Sequence, residues 1–362
     1  VKKKGLRRWI WLGVSTGVLV LIVYNLRHNP EWSHFNWGRL WASLVSANPG
    51  LLLLALAGVY LTYLIRALRW QFLMHPIKKG SLWVLLVGQL LGFSSIYLVG
   101  RPGEFVRPAY IARKESLPIT SMVAVWLMER ICDTICLVVL FSVVLYFAPV
   151  EMSAAGKNVL SVMHKAGDAM LAVTVLLVAG LVIYRLKTQE LMGWAMRMSR
   201  FLPKSIHRHL EHFLNSFAEG LQVVRSMPDF AGSVVLSIAL WVTNATIFWL
   251  TLRSLGGSLE HFVWLASALV LFCASLGLVV QFPGIGGGYQ VGVILALTEI
   301  FGIAADVATG AAILLWLMMS VPVLVVSLGL LVHEGLSFKR LEAITEEEEE
   351  EMEQAAATEG AE

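Results

Sequence analysis

Residues 81–108 read SLWVLLVGQLLGFSSIYLVGRPGEFVRP, and the path of this stretch decides the fold. Residues 81–100 carry no charge, whereas 101–108 carry Arg101, Glu104 and Arg107 among Pro102, Gly103 and Pro108. The prolines and glycine oppose a regular helix. The apolar part approaches the ~20 residues that a membrane span needs. It is nevertheless interrupted by Gly88, Gln89, Gly92, Ser94 and Ser95. Either it crosses and leaves three charges on the far side, or it dips in and returns.

The rest of the chain supplies the context. Of 362 residues, 57% are hydrophobic and 15% charged, against roughly 25% charged in soluble domains. This excludes a soluble globular protein and predicts an all-α polytopic membrane domain over 1–340. Apolar runs fall at 9–26, 50–65, 81–99, 120–148, 169–186, 229–252, 259–282, 289–302 and 307–332. The basic head VKKKGLRR and the apolar body behind it lack a small-x-small cleavage site, so 9–26 is expected to be a retained helix. The three cysteines, Cys132, Cys136 and Cys273, lie in apolar runs and imply neither a disulfide framework nor a metal site.

Charge sets the expected topology, because short cytoplasmic loops carry the Lys/Arg excess. If 81–99 crosses, the positives of 101–119 and the seven of 185–228 fall outside. If 81–99 dips in and returns, 22 Lys/Arg lie inside and five outside, with Arg130 left in a helix. The second arrangement is expected, with both termini cytoplasmic. It gives about six full spans plus two interrupted or re-entrant elements, 81–99 and the pair 259–282/289–302. The pair is either a hairpin or a span and its return. The two halves run in opposite senses, the pattern of inverted-repeat transporters, although no residue-level repeat accompanies it. Segment 187–228 has an apolar stripe at helical spacing between basic residues. It fits an amphipathic helix on the anionic leaflet or one packed beneath the bundle. The acidic stretch 341–362 is expected to be a disordered tail.

Three constellations can carry chemistry. Arg101 and Arg107 offer guanidinium forks matched to phosphate oxygens, and Glu104 can hold an arginine or meet an amine or proton. Glu129-Arg130-Ile131-Cys132-Asp133 lies about ten residues into an apolar helix, where charge is costly and points to function. Glu129 and Asp133 share a face, and Arg101 and Arg107 are their expected partners. The plain alternatives are a basic loop and a static salt-bridge lock. Gln281 to Gln290, QFPGIGGGYQ, breaks the second element. Its glycines can cradle an anion or merely make a tight turn. His207, His209 and His212 sit on the amphipathic segment and do not argue for a metal. No metal, cofactor or nucleic acid is expected.

GRPGEFVRP, Glu129-Arg130-x-x-Asp133 and the later Pro-Gly-x-Gly-Gly turn together resemble the lysylphosphatidylglycerol synthase transmembrane region, a flippase-like family. The match runs over about 10–335. The resemblance implies an inner-membrane protein of about eight helices. In bifunctional relatives this domain translocates aminoacylated phosphatidylglycerol made by a separate soluble domain. No such domain is read in these residues, so transport or an accessory role is implied rather than aminoacyl transfer. Other relatives serve hopanoid, glycolipid or polyprenyl-linked sugar pathways. The resemblance marks Arg101, Glu104, Arg107, Glu129, Arg130 and Asp133 as a site for an anionic or phosphate-containing lipid head group. It marks Pro283, Gly284, Gly286, Gly287 and Gln290 as the second turn. Family members often carry a glutamate shortly after that turn, where this chain has Tyr289-Gln290. The expected function is a lipid flippase with the head group in a polar cavity between the two interrupted elements. The alternatives are an accessory subunit beside a membrane enzyme and, more weakly, a membrane transferase.

Overall fold

The computed structural model describes residues 35–99, 101–147, 226–278, 281–282 and 286–333, with isolated positions between 168 and 190. The expected helix 9–26, most of 169–186, almost all of the amphipathic segment and the acidic tail lie outside the described residues. What is described is helical apart from one two-residue ladder. The described residues divide into two compact units. One contains those of Leu56–Phe147, His164–Asn244 and Met319–Glu362, and the other those of Val1–Ala55, Ala148–Met163 and Ala245–Met318.

Among the described residues, three helices are long and apolar enough to cross a membrane: α2 (Pro49–Met74), α6 (Met227–Ser254) and α9 (Ala305–His333). A short helix, α1 (Trp37–Val45), precedes them. Asn48 starts α2 by accepting the N–H of Gly50 at 2.9 Å, and Pro49 fits the first helical turn, where no N–H partner is lost. Pro76 follows the end of α2. Helix α5 (Ile119–Phe147) is 29 residues long but carries three charges in its first half.

Between α2 and α5 lies a helical hairpin. Its first leg is α3 (Leu82–Val99), 18 residues and so about 27 Å long. Its return leg is a 3-10 segment (Arg101–Phe105) followed by α4 (Val106–Glu115). Glycines let the legs touch. A Cβ on Gly103 would lie 2.5 Å from the Ser95 carbonyl carbon, one on Gly92 would lie 2.6 Å from the Arg107 Cβ, and one on Gly88 would meet Ile111 at 2.8 Å. At the base, the Ser81 N–H donates to Glu115 Oε1 at 2.9 Å and Lys78 pairs with Glu115 at 3.1 Å. The pairing Ser95–Gly103, Gly92–Arg107, Gly88–Ile111 and Ser81–Glu115 is antiparallel throughout.

This corrects the expectation that 81–99 dips in and returns by itself. Those residues make one leg; 106–115 complete the return. Residues 101–108, RPGEFVRP, therefore lie at the turn end and the start of the return, far from the base. Gly88 and Gly92 do not interrupt the helix. They are the places where a bulky side chain would keep the legs apart.

Trp70 of α2, Leu91 of α3, Ile111 of α4 and Met128 of α5 meet in one buried core, joined by Leu331 of α9. The Ser327 hydroxyl donates to the Leu90 carbonyl at 2.9 Å, fixing α9 against the hairpin.

The other unit contains a second hairpin. Helix α7 (Trp264–Gly277) leads to a ladder of β1 (Gln281–Phe282) and β2 (Gly286–Gly287), then α8 (Gly288–Leu295) and a π-turn (Ala296–Ile300). Gln281 pairs with Gly287 and Phe282 with Gly286. Gly277 abuts the Gly288 carbonyl, and Gly292 abuts that of Cys273. At 14 residues α7 is shorter than a simple span, which fits a hairpin rather than a crossing and return.

Candidate functional site

Arg69 and Trp70 lie near the C-terminal end of α2, Gln89 on α3, Arg107 on α4, Glu129 and Asp133 on α5, and Ser237 on α6. Each is a few turns from the end of its helix next to the hairpin base. At 1.5 Å per residue these offsets run from under 10 to about 20 Å. Five elements thus contribute polar side chains to one cluster inside the end that carries Lys78, Lys79, Arg113 and Lys114.

Glu129, with no exposed surface, is the hub. Its Oε1 accepts from Arg69 Nη2 and, at 3.3 Å, from Arg107 Nη1. Its Oε2 accepts from Arg107 Nη2 at 2.7 Å and from the Trp70 indole N–H at 2.9 Å. Asp133 takes Arg69 with both oxygens, at 2.5 and 3.3 Å. Arg69 Nη1 also donates to the Ser237 hydroxyl at 3.0 Å, and Arg107 Nη1 to Gln89 Oε1 at 2.7 Å. A buried ion pair repays the cost of leaving water when its remaining donors and acceptors are also met; here the carboxylate oxygens of Glu129 and Asp133 are met, while Arg69 Nε and Gln89 Nε2 are buried without a hydrogen-bond partner.

Aromatic rings carry the remaining cationic face. The Arg107 guanidinium lies 5.1 Å from the Trp70 ring centre and 5.5 Å from that of Phe93. Arg66, one turn before Arg69, lies 4.4 Å from the Phe93 ring centre. Cation–π contacts of this kind are worth about 0.5–2 kcal/mol.

The expected residues divide accordingly. Arg107, Glu129 and Asp133 come together. Glu129 pairs with Arg107 as expected, but Asp133 is taken by Arg69, which corrects the expectation that Arg101 and Arg107 would serve both carboxylates. Arg130 points to a neighbouring face of α5, one turn on from Trp126, whose ring packs on Phe105. Its Nε is buried without a hydrogen-bond partner. Glu104 is half-buried in the 3-10 segment and is engaged. The Arg101 backbone opens that segment, and its side chain lies outside the described residues.

In the second hairpin, Pro283 and Gly284 lie outside the described residues. Gly286 and Gly287 form β2, and Gln290 lies in the first turn of α8. Gly287 has φ 94°, a conformation that favours glycine, so the turn chemistry explains this residue without a ligand.

Sequence reasoning missed Arg69. The apolar run 50–65 stops at Arg66, so hydropathy alone leaves Arg69 outside the span. The available signal was helical spacing. Arg66, Arg69 and Trp70 fall within one turn, and Phe72, Leu73 and Met74 continue the apolar character to the helix end.

No curated protein matches the chain. The agreement with a family runs through both hairpins: residues 9–327 match the lysylphosphatidylglycerol synthase TM region, and the chain is a multi-pass membrane protein of that family.

Proposed function

We propose that this protein is a lipid flippase, moving a phospholipid or lipid-linked head group across the bacterial cytoplasmic membrane without catalysing a chemical step. Both termini and the hairpin base face the cytoplasm in this reading. The observation that carries it is the arginine-rich cluster buried among α2, the first hairpin, α5 and α6. Ionisable groups inside a membrane domain are expensive, and they mark substrate paths. Guanidinium forks suit phosphate oxygens. Two helical hairpins in separate units also suit the inverted-repeat design of transporters. The head group sits beside Arg66, Arg107 and Arg130 while the acyl chains stay in lipid. The test is reconstitution in liposomes with a labelled phospholipid. The expected result is leaflet exchange that Arg66→Gln reduces at least severalfold. Exchange no faster than in protein-free liposomes overturns the reading.

One observation favours a second reading, a non-transporting accessory subunit of a lipid- or glycan-modifying enzyme. Glu129 is saturated with donors, as a static lock between hairpin and helix would be. A stoichiometric membrane-enzyme partner that co-purifies, with no lipid exchange by either protein alone, supports that role instead.

A further inference from the structure

Helix α1 presents an apolar face where a water-facing helix would carry charge. Its sequence, WGRLWASLV, contains one basic residue and no acid. Trp37, Trp41 and Val45 recur every four residues and so share one face. They are 75%, 67% and 69% exposed. Gly38 and Ala42 beside them are also exposed and add no charge. Large apolar side chains in such a row mark a surface that something other than water covers.

The other side of α1 is fastened to α9. Leu40 is buried, and a Cβ on Gly310 would lie 3.2 Å from Ser43 Oγ and 3.8 Å from Leu40 Cγ. Arg39 Nη1 reaches the buried Asp306 carboxylate at 3.3 Å. Arg39 projects roughly 160° from Trp41 around the helix, so the one charge of α1 is drawn away from the tryptophans.

The position of α1 says what covers the free face. At about 13.5 Å it is under half the length of a span. It lies where α2 and α9 begin, and the Asn48 N–H ties that point to the Ser254 carbonyl at the end of α6. Leu53 and Leu54, in the second turn of α2, are 66% and 60% exposed. On a helix that spans the bilayer this surface meets lipid, so the exposed apolar surface of α1 resumes as lipid-facing surface just inside the membrane. Tryptophan is enriched at that boundary.

We infer that α1 is an interfacial helix: Trp37, Trp41 and Val45 dock into the boundary between head groups and acyl chains at the end of the membrane where α2 begins, and the Arg39–Asp306 pair fixes its orientation. Interfacial helices commonly add Lys and Arg that attract anionic lipid. Here Arg39 is committed to Asp306, so adhesion rests on the aromatic face and works on neutral lipid. This contact needs only that α2 spans the bilayer, and it holds whether or not the arginine cluster carries a head group.

The test is electron paramagnetic resonance of the full chain in phosphatidylcholine vesicles, with Cys132, Cys136 and Cys273 replaced by alanine. A spin label is placed at Val45→Cys, at Ser46→Cys on the opposing side, or at Leu53→Cys as the lipid-facing reference. Access is read with oxygen, which concentrates in lipid, and with a nickel chelate confined to water. The expected oxygen-to-nickel ratio is severalfold higher at Val45 than at Ser46 and approaches that at Leu53. Trp37→Ser combined with Trp41→Ser lowers the Val45 ratio toward that of Ser46, and Asp306→Asn lowers it in part. Thermal unfolding confirms that each variant is folded.

A Val45 label as open to the nickel chelate as the Ser46 label overturns the inference, because the face then meets water. A label shielded from both probes overturns it as well and assigns the face to protein. Dipolar broadening of that label identifies a second copy, and its absence another segment of this chain. An unchanged Val45 ratio in the double tryptophan variant overturns the anchoring role of the tryptophans.

Discussion

Glu129 is a single carboxylate on which three side chains from two elements converge. Arg69 and Trp70 come from α2 and Arg107 from α4. Glu129→Gln keeps the shape but removes the charge that compensates two buried guanidinium groups. Breaking a buried pair from one side costs about 3–5 kcal/mol. The expected outcome is a marked drop in the thermal midpoint of the detergent-solubilised protein. Arg130→Gln breaks no ion pair among the described residues and should change stability by about 1 kcal/mol at most. Similar losses in the two variants would mean that Glu129 is not the hub. The pairing of Glu129 with Arg107 was legible in sequence because both charges interrupt apolar surroundings and need partners. The role of Arg69 was not. A hydropathy window ends a span at its first arginine, whereas a helix ends where its caps and prolines allow, at Met74 before Pro76.

At the scale of the element, the first hairpin is held together by the absence of side chains. Gly103 lies against the Ser95 carbonyl, where a methyl would sit 2.5 Å from the carbon and 2.6 Å from the oxygen. Backbone cannot yield as a flexible side chain can. Gly103→Ala should therefore push the return leg off α3 and cost about 1–3 kcal/mol, the usual range for overpacking. Gly329 in α9 is the control, since a methyl there meets nothing within 4 Å. Gly329→Ala should be neutral or stabilise by up to about 1 kcal/mol through helix propensity. Thermal unfolding of both variants checks the pair, and a loss at Gly329 equal to that at Gly103 would refute the close-packing account. The existence of a returning element was legible from charge, but its register was not. Glycine reads as a breaker in sequence, yet Gly88 and Gly92 lie within a continuous helix and mark contact. The described part of the turn is the 3-10 segment Arg101–Phe105, where Pro102 and Gly103 coincide with the charges.

At the scale of the whole molecule, the distribution of charge makes a topological prediction that the hairpin sharpens. Lys78, Lys79, Arg113 and Lys114 flank the hairpin base, and the positive-inside rule assigns that end to the cytoplasm. Helix α2 leads from Ser46 toward that end and α6 leads away from it toward Ser258, so both serines belong on the opposite side of the membrane. Ser46, Ser81, Ser116 and Ser258 are all exposed and suit single cysteine labels once Cys132, Cys136 and Cys273 are replaced. A membrane-impermeant thiol reagent applied to intact cells with a permeable outer membrane should label Ser46→Cys and Ser258→Cys. Ser81→Cys and Ser116→Cys should label only after the inner membrane is opened. The decisive comparison is Ser81 with Ser116, which lie just before and just after the hairpin legs. If the hairpin returns within the membrane, the two positions behave alike. If residues 82–115 instead cross it, Ser116→Cys labels from outside with Ser46→Cys. In that case Arg101, Arg107, Arg113 and Lys114 would also be carried past the membrane. The Glu115 contact with Ser81 and Lys78 argues against that outcome, because it ties the two ends of the hairpin to one point.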